Sequence, residues 1–244
     1  VGIGKMKKHK EMLRRSVLRR HLPETHWFTR ARALRMLRSY SRIFIKPNHG
    51  SGGTGIVRVK RLRSGYEVRC GLKRTYVGSA SLYKAIKSYL KPSGRYLVQR
   101  GLRLAKYKGS IFDARIYMQK PKKKWSISGM AARVAAPHRF VTNYQKGGHG
   151  VKLKRVLSRL FKKRKKVKRT IKKIKKISRL IARTINKRHS IRELGVDLGI
   201  EKNGRIWIIE ANSRPGHMLF TQLSNKTPLY KIMKNKRLIR RRYL

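Results

Sequence analysis

The chain has 244 residues, 39% of them hydrophobic, with 68 Lys and Arg against 8 Asp and Glu and a formal net charge of +60. The apolar fraction excludes a bare basic tail and leaves one large domain or two small lobes, and the charge predicts salt-sensitive binding of polyanions, nonspecific nucleic acid included. A lone cysteine, Cys70, excludes an intrachain disulfide framework or a thiolate zinc site, and no apolar run approaches the roughly 20 residues of a membrane span, so a cytoplasmic chain with no membrane span is expected.

In chain order, residues 5–20 read as a basic helix. Pro23 breaks the pattern before a second helical run over about 29–40. From Ser41 the chain turns β-like: RIFIKP, a glycine-rich loop, the alternating GIVRVKRL, then YEVRC and RTYVG, which predict a small sheet with tight turns. A helix is expected over about 81–90, then a short buried strand at GRYLVQRGL and two strands, IFDARIYMQK and WSISGMAARVA, divided by the turn PKKK. Residues 151–187 are the most basic block, yet Leu153, Val156, Val167, Ile174, Ile181 and Ile185 recur at helical spacing. That predicts a packed helix pair with a cationic outer face. ELGVDLGI and RIWIIEANS, joined by Lys202-Asn203-Gly204, read as a β-hairpin, and the final KNKRLIRRRYL reads as a mobile basic tail.

Four of the eight acids, Glu193, Asp197, Glu201 and Glu210, fall in that hairpin beside Asn212. Strand alternation places Glu210 and Asn212 on one face, and Asp197 on the partner strand can face the same point, a set of hard oxygen donors suited to Mg2+. The same pattern also fits a surface hairpin with solvated acids. In KPNHGSGGTGIVRV, Gly50, Gly52 and Gly55 have G-x-G-x-x-G spacing. The loop runs into an alternating strand, so it is not a dinucleotide-binding turn, which opens a helix, and it lacks the Gly-Lys-Ser/Thr of a Walker loop. A strand-loop-strand flap over phosphate remains, or a hairpin with no ligand. A kinase reading fails at His138-Arg139-Phe140, where the catalytic Asp is absent. Lys46, just before the flap, could reach a phosphate. Asp113 and Arg115 share a strand face and read as an ion pair in which Asp113 orients Arg115; Arg133 and the loop VTNYQKGG complete a third set.

Taken in order, KPNHGSGGTG, YLVQRGL, FDARIYMQK, ARVA…VTNYQKGG and ELGVDLGI…WIIEANSRPG resemble the ATP-grasp family over most of residues 40–220, with wording similar to its spore-coat-associated YheC/YheD-type branch. The resemblance implies an α+β fold of two lobes clamping ATP, with Mg2+ on the phosphates and most of the usual N-terminal lobe missing. The expected division is a basic leading segment and helix (1–28), a small lobe with the flap (29–97), a large lobe with the adenine hinge and metal site (98–224) and a basic C-terminal helix or tail (225–244). By position, the resemblance implies that Lys46 and Lys5 touch phosphates beneath a flap of Gly50, Ser51, Gly52, Gly53, Thr54 and Gly55. Gln99, Arg100, Gly101 and Leu102 would form the adenine hinge, and Asp197, Glu210 and Asn212 the metal site. Arg133 and Asn143, with Arg115, would sit near the transferred phosphate and acceptor. The activity implied is carboxylate–amine ligation through an acyl-phosphate, on an acidic small molecule, peptide or polymer. The alternative is a non-catalytic polyanion-binding or spore-structural protein that keeps the ATP-grasp shell.

Overall fold

In the computed structural model, which describes residues 2–50 and 52–241, the chain begins with α1 (Lys5–Leu13), α2 (Ser16–Arg19), β1 (Thr25–Trp27) and α3 (Arg30–Ser39). There follow β2 (Arg42–Pro47), β3 (Val57–Arg61), β4 (Tyr66–Cys70), β5 (Lys73–Val77), α4 (Leu82–Lys87) and β6 (Tyr96–Arg100). The second half holds β7 (Lys106–Tyr107), β8 (Ser110–Gln119), β9 (Ser126–Val134), β10 (His149–Val151), α5 (Leu153–Leu160), α6 (Arg164–Asn186), β11 (Glu193–Ile200), β12 (Ile206–Asn212) and α7 (Thr227–Arg240). Two antiparallel sheets result, ordered β1-β6-β2-β3-β4-β5 and β10-β9-β8-β11-β12.

Alternation decides which face of each sheet is covered. In the first, Ile43, Ile45, Val57, Val59, Val68 and Val98 turn outward onto Ala33, Met36 and Leu37 of α3 and Leu82 and Ile86 of α4. The intervening Phe44, Lys46, Arg58, Arg69 and Gln99 are thereby sent to the other face, toward the second sheet. In the second sheet, Phe112, Ala114, Ile116 and Met118 pack with α5 and α6 and with Met12, Leu18 and Leu22 of the leading segment. Asp113, Arg115 and Tyr117 therefore point the opposite way, Asp113 into the space between the sheets and Tyr117 onto Leu219, Phe220 and Ile232.

α6 shows which force forms it. It starts Arg164-Lys165-Lys166, with no acid in its first turn, so its cations lie at the positive end of the helix dipole. Each costs about 0.3–1 kcal/mol there. Burying Val167, Ile174, Ile177, Ile181 and Ile185 contributes about 1.5–3 kcal/mol per side chain and wins.

Three expectations change. The helix over 5–20 is two, because the chain turns at Arg14-Arg15. The expected mobile tail from Lys234 is the last part of α7 as far as Arg240, held by the burial of Ile232, Asn235 and Ile239 and by Asn235 Nδ2 donating to Ser128 Oγ at 3.0 Å. The expected boundary at 97/98 falls inside β6, all of which pairs in the first sheet; the crossing to the second sheet comes after Arg100. The leading segment is shared between lobes, since β1 extends the first sheet while α1 and α2 pack into the second core. Among the described residues, no helix is long and apolar enough to cross a membrane.

Candidate functional site

Between the sheets lies a cleft of about 660 Å3, lined by both. On the first sheet, Thr25, Gln99, Phe44, Arg58, Arg69 and Arg74 lie opposite one another in a single row from β1 to β5. On the second, Ala131, Arg115, Asp197 and Glu210 form a row across β9, β8, β11 and β12.

A bulge aims Glu210. Asp197 pairs with Glu210, but Leu198 pairs with Ile208, so Ile209 is an extra residue in β12. Before the bulge Ile206 and Ile208 face the helices; after it Ala211 does. Without the extra residue Glu210 would share the phase of Ile206 and Ile208 and point into the core. With it, Ile209 and Glu210 both line the cleft.

The carboxylates differ in what already holds them. Asp197 is buried, with Oδ1 2.6 Å from Arg115 Nε and Oδ2 2.8 Å from Arg133 Nη2. Burial pushes its carboxyl up, and Arg115 and Arg133 oppose the shift. Glu210 is half-exposed, and its one ion pair among the described residues is with Lys5 Nζ at 3.4 Å. Asp113 accepts from Arg133 Nε at 2.9 Å and Nη2 at 2.8 Å, and from the Thr142 hydroxyl. The expected Asp113–Arg115 pair is thus corrected: each residue takes the partner directly across the strands, Arg133 for Asp113 and Asp197 for Arg115. Opposed side chains start about 5 Å apart, closer than two positions along one strand. Burial acts to lower Arg133, and Asp113 and Asp197 more than offset it, so this guanidinium is held above its ordinary value.

The first sheet brings lysines to the same space. Lys46 Nζ donates to Gln99 Oε1 at 2.6 Å, and Gln99 Nε2 donates to Thr25 Oγ1 at 2.9 Å. Gln99 therefore fixes Lys46. Burial pushes Lys46 down to about 8; Glu210 and Asp197 oppose this and Lys5 adds to it. Lys46 is thus charged below about pH 8 and neutral above. ATP affinity is expected to fall as pH rises through that value, by up to about tenfold per unit, in titrations spanning about pH 7 to 9; a flat profile would remove Lys46 from the phosphate contacts. Lys5 Nζ donates to the Gly50 carbonyl at 2.8 Å, between flap and Glu210. Asn48, which sequence reasoning missed, holds Lys5 in place: its carbonyl accepts from Lys5 N and its Oδ1 from Met6 N, both at 3.0 Å. Its position two residues past Lys46 was the available signal.

The flap closes on the opposite lobe. Gly53 has φ of 76°, and a Cβ there would sit 2.6 Å from Asn143 Oδ1; one on Gly52 would run into Gln145. Glycine is required both for the turn and for this approach. Ser51 lies outside the described residues. Of the other expected site residues, Lys5, Lys46, Gly50, Gly53, Thr54, Gln99, Arg100, Leu102, Arg133, Asn143, Asp197 and Glu210 line the cleft. Gly52, Gly55, Gly101, Arg115 and Asn212 are outside that lining. Arg115 is beneath it, buried in the space left by Gly195, whose Cβ would come within 2.8 Å of Arg115 Nη1.

The donor chemistry fits Mg2+. Two carboxylates face each other across β11 and β12, one of them with little else to bind, and Asn212 continues their face. Asp197 is already neutralised by two arginines, so Glu210 is the residue with most to offer a cation.

Residues 2–238 match the family described as YheC/D like ATP-grasp. The chain is similar to the endospore coat-associated protein YheD of Bacillus subtilis strain 168, 28% identical over 190 residues that cover 75% of this chain and 41% of YheD. It is 25% identical over 230 residues to the endospore coat-associated protein YheC of the same organism, covering 90% of this chain and 62% of YheC. It therefore spans less than two thirds of either relative's length. Its fold is similar to that of D-alanyl-alanine synthetase A from Vibrio cholerae O1 biovar eltor, with a TM-score of 0.57 and 12% identity over 98% of this chain and 65% of that one. At that identity the likeness is one of fold alone.

Proposed function

The chain belongs to the YheC/D-like ATP-grasp family, and on that premise we propose that it is an ATP- and Mg2+-dependent carboxylate–amine ligase acting through an acyl-phosphate. The observation that carries the reading is the convergence of Lys5, Lys46, the glycine flap and the Asp197–Glu210 pair on one cleft between the sheets. Triphosphate needs charge neutralisation without covalent help, because phosphoryl transfer spreads negative charge over several oxygens. Lys46 and Lys5 supply it from one side, and the bare flap amides can approach phosphate oxygens closely. Glu210, Asp197 and Asn212 would hold the metal, which supplies charge neutralisation at the phosphates. The base would lie along Gln99–Leu102, between Phe44, Leu104 and Ile209. Arg133 spends Nε and Nη2 on Asp113 and Asp197. Its Nη1 remains for the transferred phosphate.

In this reading a substrate carboxylate oxygen bonds the γ-phosphorus as the β–γ bridging oxygen leaves with ADP. An amine nitrogen then bonds the acyl carbon, phosphate departs with the electrons of the broken bond, and the amine proton passes to solvent. The test is product stoichiometry: ADP and phosphate released one for one with amide, in the presence of an acidic carboxylate and an amine. ATP hydrolysis that stays at background with every acidic peptide and amine supplied would refute turnover. Association with the spore coat is carried over from the names of YheC and YheD and is part of the proposal.

A second reading, a polyanion-binding ATP-grasp shell without turnover, is favoured by where the acids are. Glu11 binds His189, Glu24 binds Tyr40 and His26, Glu67 binds Arg58, and Glu193 binds Tyr117 and Gln119. With Asp113, Asp197 and Glu210 in the cleft, only Glu201 of the eight acids has no side-chain partner among the described residues. The exposed face of α6 is cationic and carries no acid to balance it. Polyanion affinity with a steep salt slope, alongside absent turnover, would favour this second reading.

A further inference from the structure

The first sheet carries a feature that nucleotide binding does not use. Arg58, Arg69 and Arg74 stand directly opposite one another on β3, β4 and β5, all lining the cleft. Like charges opposite each other on adjacent strands are destabilising. Strands lie about 4.8 Å apart, so Arg74, three strands from Phe44, is about 14 Å across the sheet from the strand that bears Lys46. Arg139 from the other lobe joins them, its Nη1 3.7 Å from where a Cβ on Gly71 would lie. Against four guanidiniums the wall has one carboxylate, Glu67, which binds Arg58. Arg69 is spent on the carbonyls of Gly71 and His138, which ties the β4–β5 turn to the opposite lobe. Arg58 Nε is buried and has no acceptor among the described residues. Burial, then Arg74 and Arg58, lower Arg69. Repulsion of this kind, with a buried donor left unmatched, is relieved by an anionic ligand.

The ligand's chemistry follows from the fork and the space. Guanidiniums in a row match carboxylates by paired hydrogen bonds. A stacked nucleobase would need a free ring, and Phe140 beside the row is taken, with Arg58 and Arg69 at 5.2 and 5.3 Å from its centroid. The cleft of about 660 Å3, which the nucleotide shares, leaves room for a short segment and not for a folded polyanion. We propose that Arg74 and Arg139, at the open end of the row that Arg58 and Arg69 begin, dock the carboxylates of an acidic peptide segment, an inference that rests on the ligase reading and names its substrate class.

The test measures two affinities, for a labelled short oligoglutamate peptide and for ATP with Mg2+, at about 0.3 M salt, where the Debye length is about 6 Å and diffuse attraction is suppressed. The side chains of Arg74 and Arg139 make no hydrogen bond or ion pair among the described residues, so the double variant Arg74→Gln/Arg139→Gln spares the fold. It is expected to lose at least about tenfold in peptide affinity, through charge-assisted hydrogen bonds removed at both positions, with ATP affinity unchanged. Lys172→Gln/Lys176→Gln removes the same charge from the exposed face of α6 and should leave both affinities unchanged. Equal peptide losses in the two double variants, or none in the cleft variant, overturn the proposal. So does single-stranded oligothymidylate that competes with the peptide and depends on Arg74 and Arg139 in the same way, because the row would then serve phosphodiesters. Failure of the wild type to bind ATP refutes the ligase reading, while the peptide arm still decides the row.

Discussion

Lys46→Ala is expected to weaken ATP binding by about tenfold to a hundredfold, the worth of one charge-assisted hydrogen bond to a phosphate. The variant also frees Gln99, whose Oε1 accepts from Lys46 at 2.6 Å. Stability should change little, because the lysine carries a desolvation cost that lowers it to about 8. A depressed lysine destabilises the fold while charged, and that cost fades as pH rises from about 8 toward the ordinary lysine value near 10.4. The alanine variant should therefore be no less stable than wild type at neutral pH and gain most below about pH 8. Isothermal titration gives the affinity and urea melts the stability. Unaltered ATP affinity in a folded variant would remove Lys46 from the site.

Arg133→Met has the larger effect on folding. Arg133 is buried between Asp113 and Asp197 and bonded to both. Methionine has similar bulk but leaves two carboxylates in low dielectric with one fewer counter-charge. Breaking a buried ionic network on one side costs about 3–5 kcal/mol. Burial already pushes the Asp197 carboxyl up against the pull of Arg115 and Arg133, and without Arg133 it should rise further. A raised acid contributes stability that is present at low pH and lost as pH rises through its folded value, so the deficit relative to wild type should shrink on acidification. In an Asp113→Asn/Asp197→Asn background the same Arg133→Met change should cost much less, because the orphaned charges are gone. Equal costs in both backgrounds would show that packing, not charge, gives Arg133 its worth.

Much of this site could be read before any fold was known. The alternation of Val196 and Leu198 around Asp197 gives its face, and the turn at Lys202-Asn203-Gly204 pairs it with the strand of Glu210. The pairing of arginines with carboxylates could not be read. Asp113 and Arg115 are two residues apart in one strand, but their partners come from strands 20 and 82 residues distant, set by a register that only the folded sheet fixes. Glu210 illustrates the same limit. Its face depends on a bulge at Ile209 that leaves no mark in the sequence, and Glu210 and Asn212 could be placed together only because both lie beyond it. The arginine row was equally hidden, since Arg58, Arg69 and Arg74 become neighbours only when three strands align. In the C-terminal helix, dense basic residues masked the sparse apolar positions Ile232 and Ile239 that hold it down.

The charge of the chain reads differently with the fold in view. Seven of the eight carboxylates have a side-chain partner among the described residues, and the exposed face of α6 has no acid. Such a surface would attract polyanions over distances set by salt.

The most direct test of the nucleotide cleft is calorimetric titration of ATP into the wild type and Glu210→Ala, each with and without Mg2+. Mg2+ is expected to tighten ATP binding to the wild type and to have little effect on Glu210→Ala. Equal Mg2+ enhancement in the two proteins would contradict the assignment of the Asp197–Glu210 pair as the metal site.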